Sequence, residues 1–498
     1  MENMLSVLYQ IFYSTILTIV LIFCLHRYYI LFMYFKNKHK TPVPLKFFDE
    51  LPHITVQLPV FNEKAVVKRL IESVIKLDYP RELLEIQVLD DSTDETTEMA
   101  RALVTQYALQ GFHIHLIHRT DRSGFKAGAL AQGMNICKGE FILVLDADFV
   151  VNPDMLRKTI HFFTNPKIGM VQIRWEHINR EFSLLTQLQS ILLDGHFVIE
   201  HTARNRAGLF FNFNGTAGIW RKDAIISAGG WQADTLTEDL DISYRAQLKG
   251  WKFIYLKDDV APAELPIEMN AFKSQQHRWA KGSIQTALKL LPTIWRSAFP
   301  LSIKLEATFH LAHNFCSILV LFLLIVMLPS LSHRVHQNWI KMALMDLPII
   351  LITMLSFSSF YAASQREIFK NWWTRIMYLP LVTGLGTGLL VNNVRATIEA
   401  MLGNDSPFIR TPKYGVAKNR TSGIKAFYKG NKNFWALVEV FVGGYFTVLS
   451  IVALANQSYV LVPFFIIFQL AFYYVGILSL LENWGFSFRS LILSHEVN

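Results

Sequence analysis

The distribution of apolar residues divides the chain into two kinds of sequence. Long apolar stretches occupy its two ends, whereas residues 41–300 contain short apolar runs that alternate with amphipathic, helix-like segments. Residues 6–24 carry no charged side chain and are long enough to cross a hydrocarbon core of about 30 Å. Apolar residues continue from there to the basic sequence KNKHK at 36–40, without a small-residue cleavage site. This pattern favours a retained membrane anchor over a signal peptide.

The C-terminal half contains five further apolar stretches. Each is long enough to form a membrane-spanning helix, because about 20 helical residues cross the hydrocarbon core. They are 309–331, 342–364, 375–397, 434–456 and 459–481. We therefore predict an N-terminal anchor (1–40), a soluble domain (41–300) and a C-terminal membrane region (301–498).

Lysine and arginine, which are enriched in cytoplasmic loops, predict the orientation of these segments. The basic sequence at 36–40 places residues 41–300 in the cytoplasm, whereas the uncharged loop 455–459 suits the outer side. If segment 375–397 crossed the membrane, the basic loop 406–433 would lie outside, against this rule. We predict that the segment lies along the cytoplasmic interface or re-enters; an ordinary sixth span is the alternative. The cations of the loop are Arg410, Lys413, Lys418, Arg420, Lys425, Lys429 and Lys432.

Composition supports a mixed membrane and soluble architecture. Of 498 residues, 52% are hydrophobic and 17% are charged, which is too apolar for a soluble chain of this size and too charged for a pure transporter. The net charge of +9 fits cytoplasmic loops and requires no nucleic-acid partner. Cys24, Cys137 and Cys316 are too widely separated for a zinc site or a disulfide framework. A transporter is also disfavoured because the spans carry few charges and no visible inverted repeat.

Residues 41–300 are predicted to form an α/β domain. Short apolar runs alternate with segments of helical periodicity, which indicates a largely parallel sheet. In such sheets ligands bind beyond the carboxyl ends of the strands. The predicted strands are 53–61, 84–90, 112–119 and 140–149.

Acidic clusters occur at the ends of two of these strands. In VLDDSTD, Asp90 and Asp91 could accept hydrogen bonds from a base or a ribose, although Asp-Asp-Ser is also typical of a turn and a helix N-cap. In VLDADF, Asp146 and Asp148 are two residues apart, so an extended backbone would direct both to one face. Such a pair could bind Mg²⁺ or Mn²⁺ and, through the cation, substrate phosphates. The alternative is a solvated turn.

A third acidic cluster, LTEDLDIS, contains Glu238, Asp239 and Asp241. A carboxylate here could serve as general base for a sugar hydroxyl. The same residues could instead cap a helix that continues through SYRAQLKG. The residues alone leave both interpretations open.

The order of these motifs resembles that of the membrane-embedded family 2 glycosyltransferases of the cellulose synthase and mannan synthase type. The acidic clusters are followed by QQHRW at 275–279, close to the membrane region, and the chain also contains GFKAGAL (124–130) and FNFNGTAGIWR (211–221). The sequences of these motifs are most similar to those of the plant cellulose-synthase-like A and C enzymes and their bacterial relatives. The resemblance, strongest over about residues 50–290, implies a Rossmann-like GT-A fold for the cytoplasmic domain.

The resemblance implies which residues bind a nucleotide sugar. The aspartates of VLDDSTD would contact the nucleotide, the lysine in the Gly124–Gly128 turn would lie near the donor, and the arginine of QQHRW would pair with the diphosphate through its planar guanidinium. The aspartates of VLDADF would hold Mg²⁺ or Mn²⁺ on the diphosphate. The implied donor-binding residues are Asp90, Asp91, Lys126, Asp146, Arg278, Thr411 and Lys413, and the implied metal ligands are Asp146 and Asp148.

The resemblance also implies an acceptor site. Asp239 would deprotonate the acceptor hydroxyl in an inverting attack on the anomeric carbon, without a covalent intermediate. Trp279 would stack on the acceptor sugar at the mouth of a channel, with a simple interfacial anchor as the alternative. The implied acceptor-binding residues are Asn214, Gly215, Thr216, Glu238, Gln275 and Trp279.

One further motif resembles a lid. FIRTPK at 408–413 is similar to the gating loop F-x-V-T-x-K of cellulose synthases, which closes over the bound donor. Arg410 replaces the valine, whereas Thr411 and Lys413 match the pattern. The orientation predicted from charge places this loop in the cytoplasm, where such a lid must lie.

The implied function is processive, inverting β-glycosyl transfer from GDP-mannose or UDP-glucose to a mannan or glucan that passes through the membrane. The partners are the nucleotide sugar, the growing polysaccharide and the lipid bilayer. The implied location is a bacterial cytoplasmic membrane, or a Golgi membrane if the source is eukaryotic. A nonprocessive lipid glycosyltransferase, similar to ceramide glucosyltransferases, is the alternative.

Overall fold

The computed structural model describes residues 2–325, 339–404, 410–416, 434–459 and 461–484. The strands are β1 (Ile54–Val60), β2 (Leu84–Asp90), β3 (His113–His118), β4 (Phe141–Val144), β5 (Ile168–His177), β6 (Gly218–Arg221) and β7 (Lys252–Ala263). The helices of the soluble part are α1 (Glu2–Asn37), which leads into it, α2 (Val67–Ile75), α3 (Thr96–Leu109), α4 (Phe125–Ile136), α5 (Met155–Ile160), α6 (Leu184–Asp194), α7 (His201–Arg206), α8 (Lys222–Ser227), α9 (Glu238–Leu248) and α10 (Met269–Arg296). The later helices are α11 (Leu301–Ala312), α12 (Cys316–Ile325), α13 (Trp339–Ile368), α14 (Trp373–Ile376), α15 (Leu379–Gly388), α16 (Leu390–Met401), α17 (Trp435–Ala455) and α18 (Val462–Asn483).

The strands form one mixed sheet in the order β3-β2-β1-β4-β6-β5-β7. Only β6, among these strands, runs antiparallel to its two neighbours. β1 and β2 are buried along almost their whole length because helices cover both faces of the sheet, and their polar side chains pair with each other, as Thr55 does with Glu85 (2.6 Å). β3, at the edge of the sheet, is mostly exposed or half-buried. The four predicted strands are confirmed, and the predicted parallel pairing holds among all four of them, β1 to β4.

The end of β4 corrects one step of the sequence argument. The strand stops at Val144, so Asp146 and Asp148 do not alternate along an extended strand. They lie in a turn, in which Phe149 N donates to Asp146 O (3.1 Å). Any common direction of the two carboxylates is therefore a property of the turn.

The two faces of the sheet form separate apolar cores. Along β4, Phe141 and Leu143 contribute to one core, while Ile142 and Val144 contribute to the other, as the alternation of a strand requires. A third cluster joins the soluble domain to the later helices: in it, buried Tyr34 of α1 belongs to the same cluster as residues of α6, α13, α15 and α18. Helix α6 of the soluble domain is thus packed with apolar helices from both ends of the chain.

Within the described residues, five helical segments are long and apolar enough to cross a membrane. The predicted anchor 6–24 is part of one continuous helix, and the predicted segment 342–364 lies inside α13, which is not among the five. The five are Ile11–Asn37, Leu301–Ile325, Trp373–Met401, Trp435–Ala455 and Val462–Asn483.

The segment predicted to lie at the interface, 375–397, consists of α15, most of α16 and part of α14. By length and composition it is one of the five candidate spans. Its interfacial or re-entrant position therefore stays a prediction. Five cations of the following loop, Lys418, Arg420, Lys425, Lys429 and Lys432, lie outside the described residues.

The N-terminus of helix α10 is hydrogen-bonded to α18. Glu482, near the end of α18, accepts hydrogen bonds from the backbone N–H groups of Met269 (2.7 Å) and Asn270 (2.8 Å). These are two of the N–H groups that a helix leaves without an internal partner. One turn later, buried Lys273 pairs with buried Glu439 of α17 (2.6 Å). The helix that carries QQHRW is therefore positioned by α17 and α18, two of the candidate membrane spans.

Candidate active site

Two cavities meet beyond the carboxyl edge of the sheet. The sheet-edge cavity, of about 170 Å³, is bounded by the loops after β1, β2, β4 and β7 and by α9 and α10. The membrane cavity, of about 770 Å³, extends between α1, α10, α12, α13, α16 and α18. They adjoin each other, because six residues line both of them: Trp175, Leu193, Asn214, Thr237, Asp239 and Trp279.

The acidic turn after β4 reaches the sheet-edge cavity through both of its aspartates. Asp146 Oδ1 accepts a hydrogen bond from Lys126 Nζ (2.5 Å), and Asp148 Oδ2 accepts one from Lys413 Nζ (2.6 Å). Each carboxylate is thus balanced by an ammonium group. The alternative reading, a solvated turn, does not describe Asp148, which is buried.

Asp146 and Asp148 fit a divalent cation. Carboxylate oxygens are the ligands that Mg²⁺ prefers, and this ion often takes only one or two of them, together with water and substrate phosphates. In the part of the chain that the structure describes, this turn included, no group of three or more His, Cys, Asp or Glu side chains is placed to hold a metal, so the protein would supply only these two carboxylates. A cation at this turn would neutralise the same carboxylates that the two lysines balance.

The two aspartates at the end of β2 have different positions. Asp90 is fully buried, and its Oδ2 lies 2.7 Å from Thr97 Oγ1 and 2.8 Å from His118 Nδ1. Asp91 lines the sheet-edge cavity, and its two oxygens accept hydrogen bonds from Arg119 (2.6 and 2.5 Å). Asp91 therefore reaches the cavity, while Asp90 stabilises the turn beneath it.

Lys126 lies at the start of α4 because Gly124 adopts a left-handed conformation (φ +70°) and turns the chain there. Its Nζ also donates to Gly215 O (2.8 Å) and lies 3.9 Å from Glu238 Oε1. Burial lowers the pKa of Lys126, but the carboxylates of Asp146 and Glu238 outweigh this effect and raise it. Lys126 is therefore a permanent positive charge between the acidic turn and the start of α9.

Asp239, in the first turn of α9, lines both cavities. Burial and the neighbouring Glu238 carboxylate raise the pKa of Asp239 to about 7, against the opposing effect of Lys126. A carboxyl group with a pKa near 7 suits general base catalysis at neutral pH. A Cβ atom on Gly215 (φ +79°) would lie only 3.0 Å from Asp239 Oδ2. Glycine at this position thus lets the backbone approach the carboxyl group.

The other acids of LTEDLDIS do not act as helix caps. Thr237 is the N-cap residue of α9, and Glu238 begins the helix and lines the sheet-edge cavity. Asp241 is fully buried and pairs with Arg245 (2.6 Å) and with Lys289 of α10 (2.9 Å). This acid therefore joins α9 to α10.

The FNFNGT segment contributes one wall residue and one support. Asn214 lines both cavities, and its Oδ1 accepts a hydrogen bond from Asn212 Nδ2 (2.9 Å) and lies 2.7 Å from His201 Nε2. Thr216 is fully buried, and its Oγ1 accepts a hydrogen bond from Asp146 N (2.8 Å). The structure thus places Thr216 under the acidic turn, where it lines neither of the two cavities.

Helix α10 presents Gln275, Arg278 and Trp279 to the sheet-edge cavity, because residues three and four apart share one helix face. Burial lowers the pKa of Arg278, while the carboxylates of Glu238 and Asp146 act in the opposite direction. Trp279 also lines the membrane cavity, so it stands at the junction of the two.

Residues 410–416 lie across the sheet-edge cavity. Arg410, which replaces the valine of the lid motif, donates to Phe61 O (3.0 Å) and pairs with Glu63 (2.8 Å). Lys413 reaches Asp148, and Thr411 is buried in the cavity wall. The first two residues of FIRTPK, at 408 and 409, lie outside the described residues.

Two carboxylates that the sequence analysis missed hold this segment. Glu264 Oε2 accepts hydrogen bonds from the backbone N–H groups of Tyr414 and Gly415 (3.2 Å each). Burial raises the pKa of Glu63 to about 7, although Arg410 lowers it. Glu63 follows β1 by three residues, so the rule that selected the other acids at strand ends could have found it. Glu264 directly follows β7, a strand that the sequence did not predict.

The sequence matches known proteins over its soluble domain and beyond. Residues 52–282 match the model of the glycosyltransferase-like family 2. Over 269 residues the chain is 41% identical to glucomannan 4-beta-mannosyltransferase 1 of Oryza sativa subsp. japonica, covering 53% of this chain and 51% of the relative. Over 397 residues it is 35% identical to glucomannan 4-beta-mannosyltransferase 2 of Arabidopsis thaliana, covering 76% of this chain and 71% of the relative. The matches thus span about half to seven-tenths of these relatives.

A solved structure shares the fold. The mannosyltransferase PcManGT from Pyrobaculum calidifontis, in complex with GDP-Man and Mn²⁺, aligns with a TM-score of 0.54 and 19% sequence identity, covering 78% of this chain and all of that chain. This likeness confirms the predicted GT-A α/β fold of the soluble domain.

Proposed function

Because the chain belongs to glycosyltransferase family 2, we propose that it is a processive, inverting β-mannosyltransferase that extends a β-linked mannan from GDP-mannose. The observation that carries the proposal is the junction of the two cavities at Asp239 and Trp279. A terminal sugar held there would meet the donor on one side and leave through the membrane cavity on the other. The names of the plant relatives, and the GDP-Man in the PcManGT complex, favour mannose over the glucose donor that the sequence left open.

The donor would occupy the sheet-edge cavity. Arg278, Lys126 and Lys413 would bind the diphosphate, since all three cations converge on the acidic turn or its neighbours. Asp91 would lie on the nucleotide side, and Thr411 would close over the donor from the lid segment. Mg²⁺ or Mn²⁺ held by Asp146 and Asp148 would offset the negative charge of the leaving diphosphate.

The acceptor would bind between Asp239, Asn214 and Trp279. Asp239 would take the proton of the acceptor hydroxyl as its oxygen forms a bond to the anomeric carbon. In the same step the bond from that carbon to the diphosphate oxygen breaks, and Arg278 stabilises the negative charge on the leaving group. A single in-line displacement inverts an α-linked donor to a β-linkage. Burial and the Glu238 carboxylate keep the pKa of Asp239 high, so that the base would be matched to neutral pH.

Extension and export would use the membrane cavity. Its wall combines aromatic rings with amide and hydroxyl groups from α6, α10, α13 and α15, and such a wall suits a sugar chain, whose faces are apolar and whose edges are polar. The soluble domain would face the cytoplasm, with segment 375–397 at the interface. The membrane would be a bacterial cytoplasmic membrane, or a Golgi membrane if the source is eukaryotic.

The test uses purified full-length protein with radiolabelled GDP-mannose, UDP-glucose and other nucleotide sugars. We expect a β-linked mannan from GDP-mannose, and we expect EDTA, Asp146→Asn or Asp148→Asn to abolish transfer while the purified protein remains folded. Linkage analysis of the product separates polymer from a glycosylated lipid, which would favour the ceramide-glucosyltransferase-like alternative. Full activity in EDTA would remove the metal from the proposal.

A further inference from the structure

Glu264 lies between the acidic turn after β4 and the segment 410–416. It directly follows β7 and is buried. Its backbone N–H group donates to Asp148 Oδ2 (3.2 Å), and its backbone carbonyl oxygen accepts a hydrogen bond from Lys413 Nζ (3.3 Å). The backbone of one residue thus contacts both partners of the ion pair between Lys413 and Asp148.

The side chain of Glu264 holds the end of the segment. Its Oε2 atom accepts hydrogen bonds from the backbone N–H groups of two successive residues, Tyr414 and Gly415 (3.2 Å each). Its Oε1 atom accepts one from Arg69 (2.6 Å), which also donates to the backbone oxygen of Asp148 (3.3 Å). Hydrogen bonds to an ionised acceptor are roughly twice as strong as those between neutral groups. The carboxylate therefore attaches residues 414–415 to the side of the acidic turn.

The backbone of Gly415 supports the same attachment. This residue has a φ of +68°, a conformation that only glycine adopts without strain. A Cβ atom at this position would lie 2.8 Å from Ala65 O, in the loop after β1. The chain therefore approaches this loop too closely for any other side chain.

The attachment at Glu264 differs from the contact of Lys413 in its response to ligands. Under the proposed function, a cation would bind Asp148 and the donor diphosphate would bind Lys413, so both ligands compete with the ion pair between these residues. The Glu264 carboxylate meets only backbone N–H groups of the segment and the Arg69 guanidinium. Neither ligand has to displace these hydrogen bonds. The lysine could therefore change its partner while residues 414–415 stay in place.

We propose that Glu264 is a positioning residue, which attaches segment 410–416 beside the acidic turn so that Lys413 is available to Asp148 before the donor binds and to the diphosphate afterwards. The second half rests on the proposed function, because it requires a nucleotide-sugar donor. Attachment raises the effective concentration of the ammonium group at both partners. Its loss is therefore expected to strengthen cation binding and to weaken donor binding.

The experiment measures both ligands on purified full-length Glu264→Gln. A glutamine has one acceptor oxygen, so it cannot serve Arg69 and the two backbone N–H groups together. Without donor, the Mn²⁺ affinity from electron paramagnetic resonance should rise several-fold, because Lys413 competes less for Asp148. The KM for GDP-mannose should rise by about fivefold to tenfold, the factor for one lost hydrogen bond, with kcat within about twofold of wild type. General damage to the acidic turn would instead weaken the binding of both ligands.

A double variant tests whether Glu264 acts through Lys413. Lys413→Met should raise the KM for GDP-mannose in the wild-type background, but should change neither ligand's constant by more than about twofold in the Glu264→Gln background. Gly415→Ala displaces the segment without altering the carboxylate, and it should reproduce both effects of Glu264→Gln. This second variant keeps the proposal testable if Glu264→Gln does not fold, as judged by thermal unfolding in detergent.

Glu85→Gln provides the matched control. Glu85 is also a buried carboxylate that accepts a hydrogen bond from a backbone N–H group, that of Lys138 (2.9 Å). It lies near the start of β2, at the end of the sheet opposite the cavity. This variant should keep the wild-type Mn²⁺ affinity and the wild-type KM for GDP-mannose.

Three outcomes would overturn the role of Glu264. Folded Glu264→Gln and Gly415→Ala could leave both constants unchanged, they could weaken both ligands together, or the effects of Glu264→Gln and Lys413→Met on KM could multiply. Failure of the proposed function looks different, because wild type would then transfer no mannose from GDP-mannose. The Mn²⁺ affinities would still show whether Glu264 holds Lys413 beside Asp148.

Discussion

Lys413 Nζ lies 2.6 Å from Asp148 Oδ2, although the lysine belongs to the segment 410–416 and the aspartate to the turn after β4. Both side chains are largely buried, at 13% and 6% exposure. A cation on Asp148 would compete with this ammonium group, and a diphosphate would offer the lysine a new partner. We therefore expect closure of the segment 410–416 over the donor and binding of a cation at the acidic turn to influence each other.

Replacing Lys413 by methionine tests this competition. Without the ammonium group, Asp148 loses its internal counter-ion, so Mn²⁺ should bind several-fold more tightly to the protein in the absence of donor. Electron paramagnetic resonance of free Mn²⁺ measures this affinity directly. The KM for GDP-mannose should rise in the same variant, because a diphosphate contact is lost. Unchanged Mn²⁺ affinity would show that Lys413 and the metal do not share Asp148.

The pH dependence of transfer tests Asp239 as general base. A base must be deprotonated, and the pKa of Asp239 is raised to about 7, so kcat/KM should rise with pH up to about 7 and fall about tenfold per pH unit below it. Asp239→Asn should reduce transfer by about 10²- to 10⁴-fold and retain donor binding.

The control for this series is Asp234→Asn, since Asp234 is 56% exposed in the loop before α9 and pairs only at the surface with Lys289. Its pH profile should match wild type. If Asp239→Asn keeps both its rate and the inflection near neutral pH, another group is the base.

Trp279 and Arg278 are adjacent, yet we expect them to serve different ligands. Trp279→Ala should abolish polymer synthesis but preserve GDP-mannose binding, because Arg278 and the acidic turn remain. Arg278→Ala should weaken donor binding by roughly 10- to 100-fold, the range for a charge-assisted hydrogen bond. Donor binding is measured by isothermal titration and polymer length by gel filtration.

Trp279→Phe separates stacking from anchoring at the membrane interface. A sugar platform tolerates phenylalanine in part, so this variant should make shorter polymer. An interfacial anchor predicts normal length and rate for both Trp279 variants once protein amounts are matched. Equal loss of donor affinity in the Trp279 and Arg278 variants would contradict the division of roles.

The orientation in the membrane is tested by cysteine labelling in a background without Cys24, Cys137 and Cys316. A cysteine at exposed Gln457, between α17 and α18, should react only with reagents added outside. One at Lys425, which lies beyond the described residues, should react only from the cytoplasm. Outside labelling of position 425 would show that segment 375–397 crosses the membrane.

Four of the seven strands that the structure describes, β1 to β4, could be predicted from short apolar runs. β2 was predicted at 84–90 and is observed at Leu84–Asp90, where its apolar side chains, Leu84, Ile86, Val88 and Leu89, are all buried. β5, β6 and β7 were not predicted. β5 carries Arg174 and Glu176 near its end, β6 is only four residues long, and β7 pairs with β5 through register shifts. Such strands depend on neighbours that are distant in sequence.

The candidate site was likewise predictable only in part from the sequence. The order of the motifs assigned Asp146, Asp239 and Trp279 to one site, and all three line the sheet-edge cavity. The reason given for Asp146 and Asp148 was wrong, because β4 ends at Val144, before either residue. The contacts of Arg410 with the loop after β1 could not be foreseen, since about 350 residues separate them. Only tertiary packing sets which side of a cavity such a segment covers.

The most direct measurement uses proteoliposomes in which the soluble domain faces outward. GDP-[¹⁴C]mannose is added outside, and the product is treated with endo-β-mannanase before and after detergent opens the vesicles. If the polymer leaves the junction at Asp239 and Trp279 through the membrane cavity, the product should resist the enzyme until the vesicles are opened. A polymer that is digested without detergent, or a product that extracts into organic solvent as a lipid, would contradict this account.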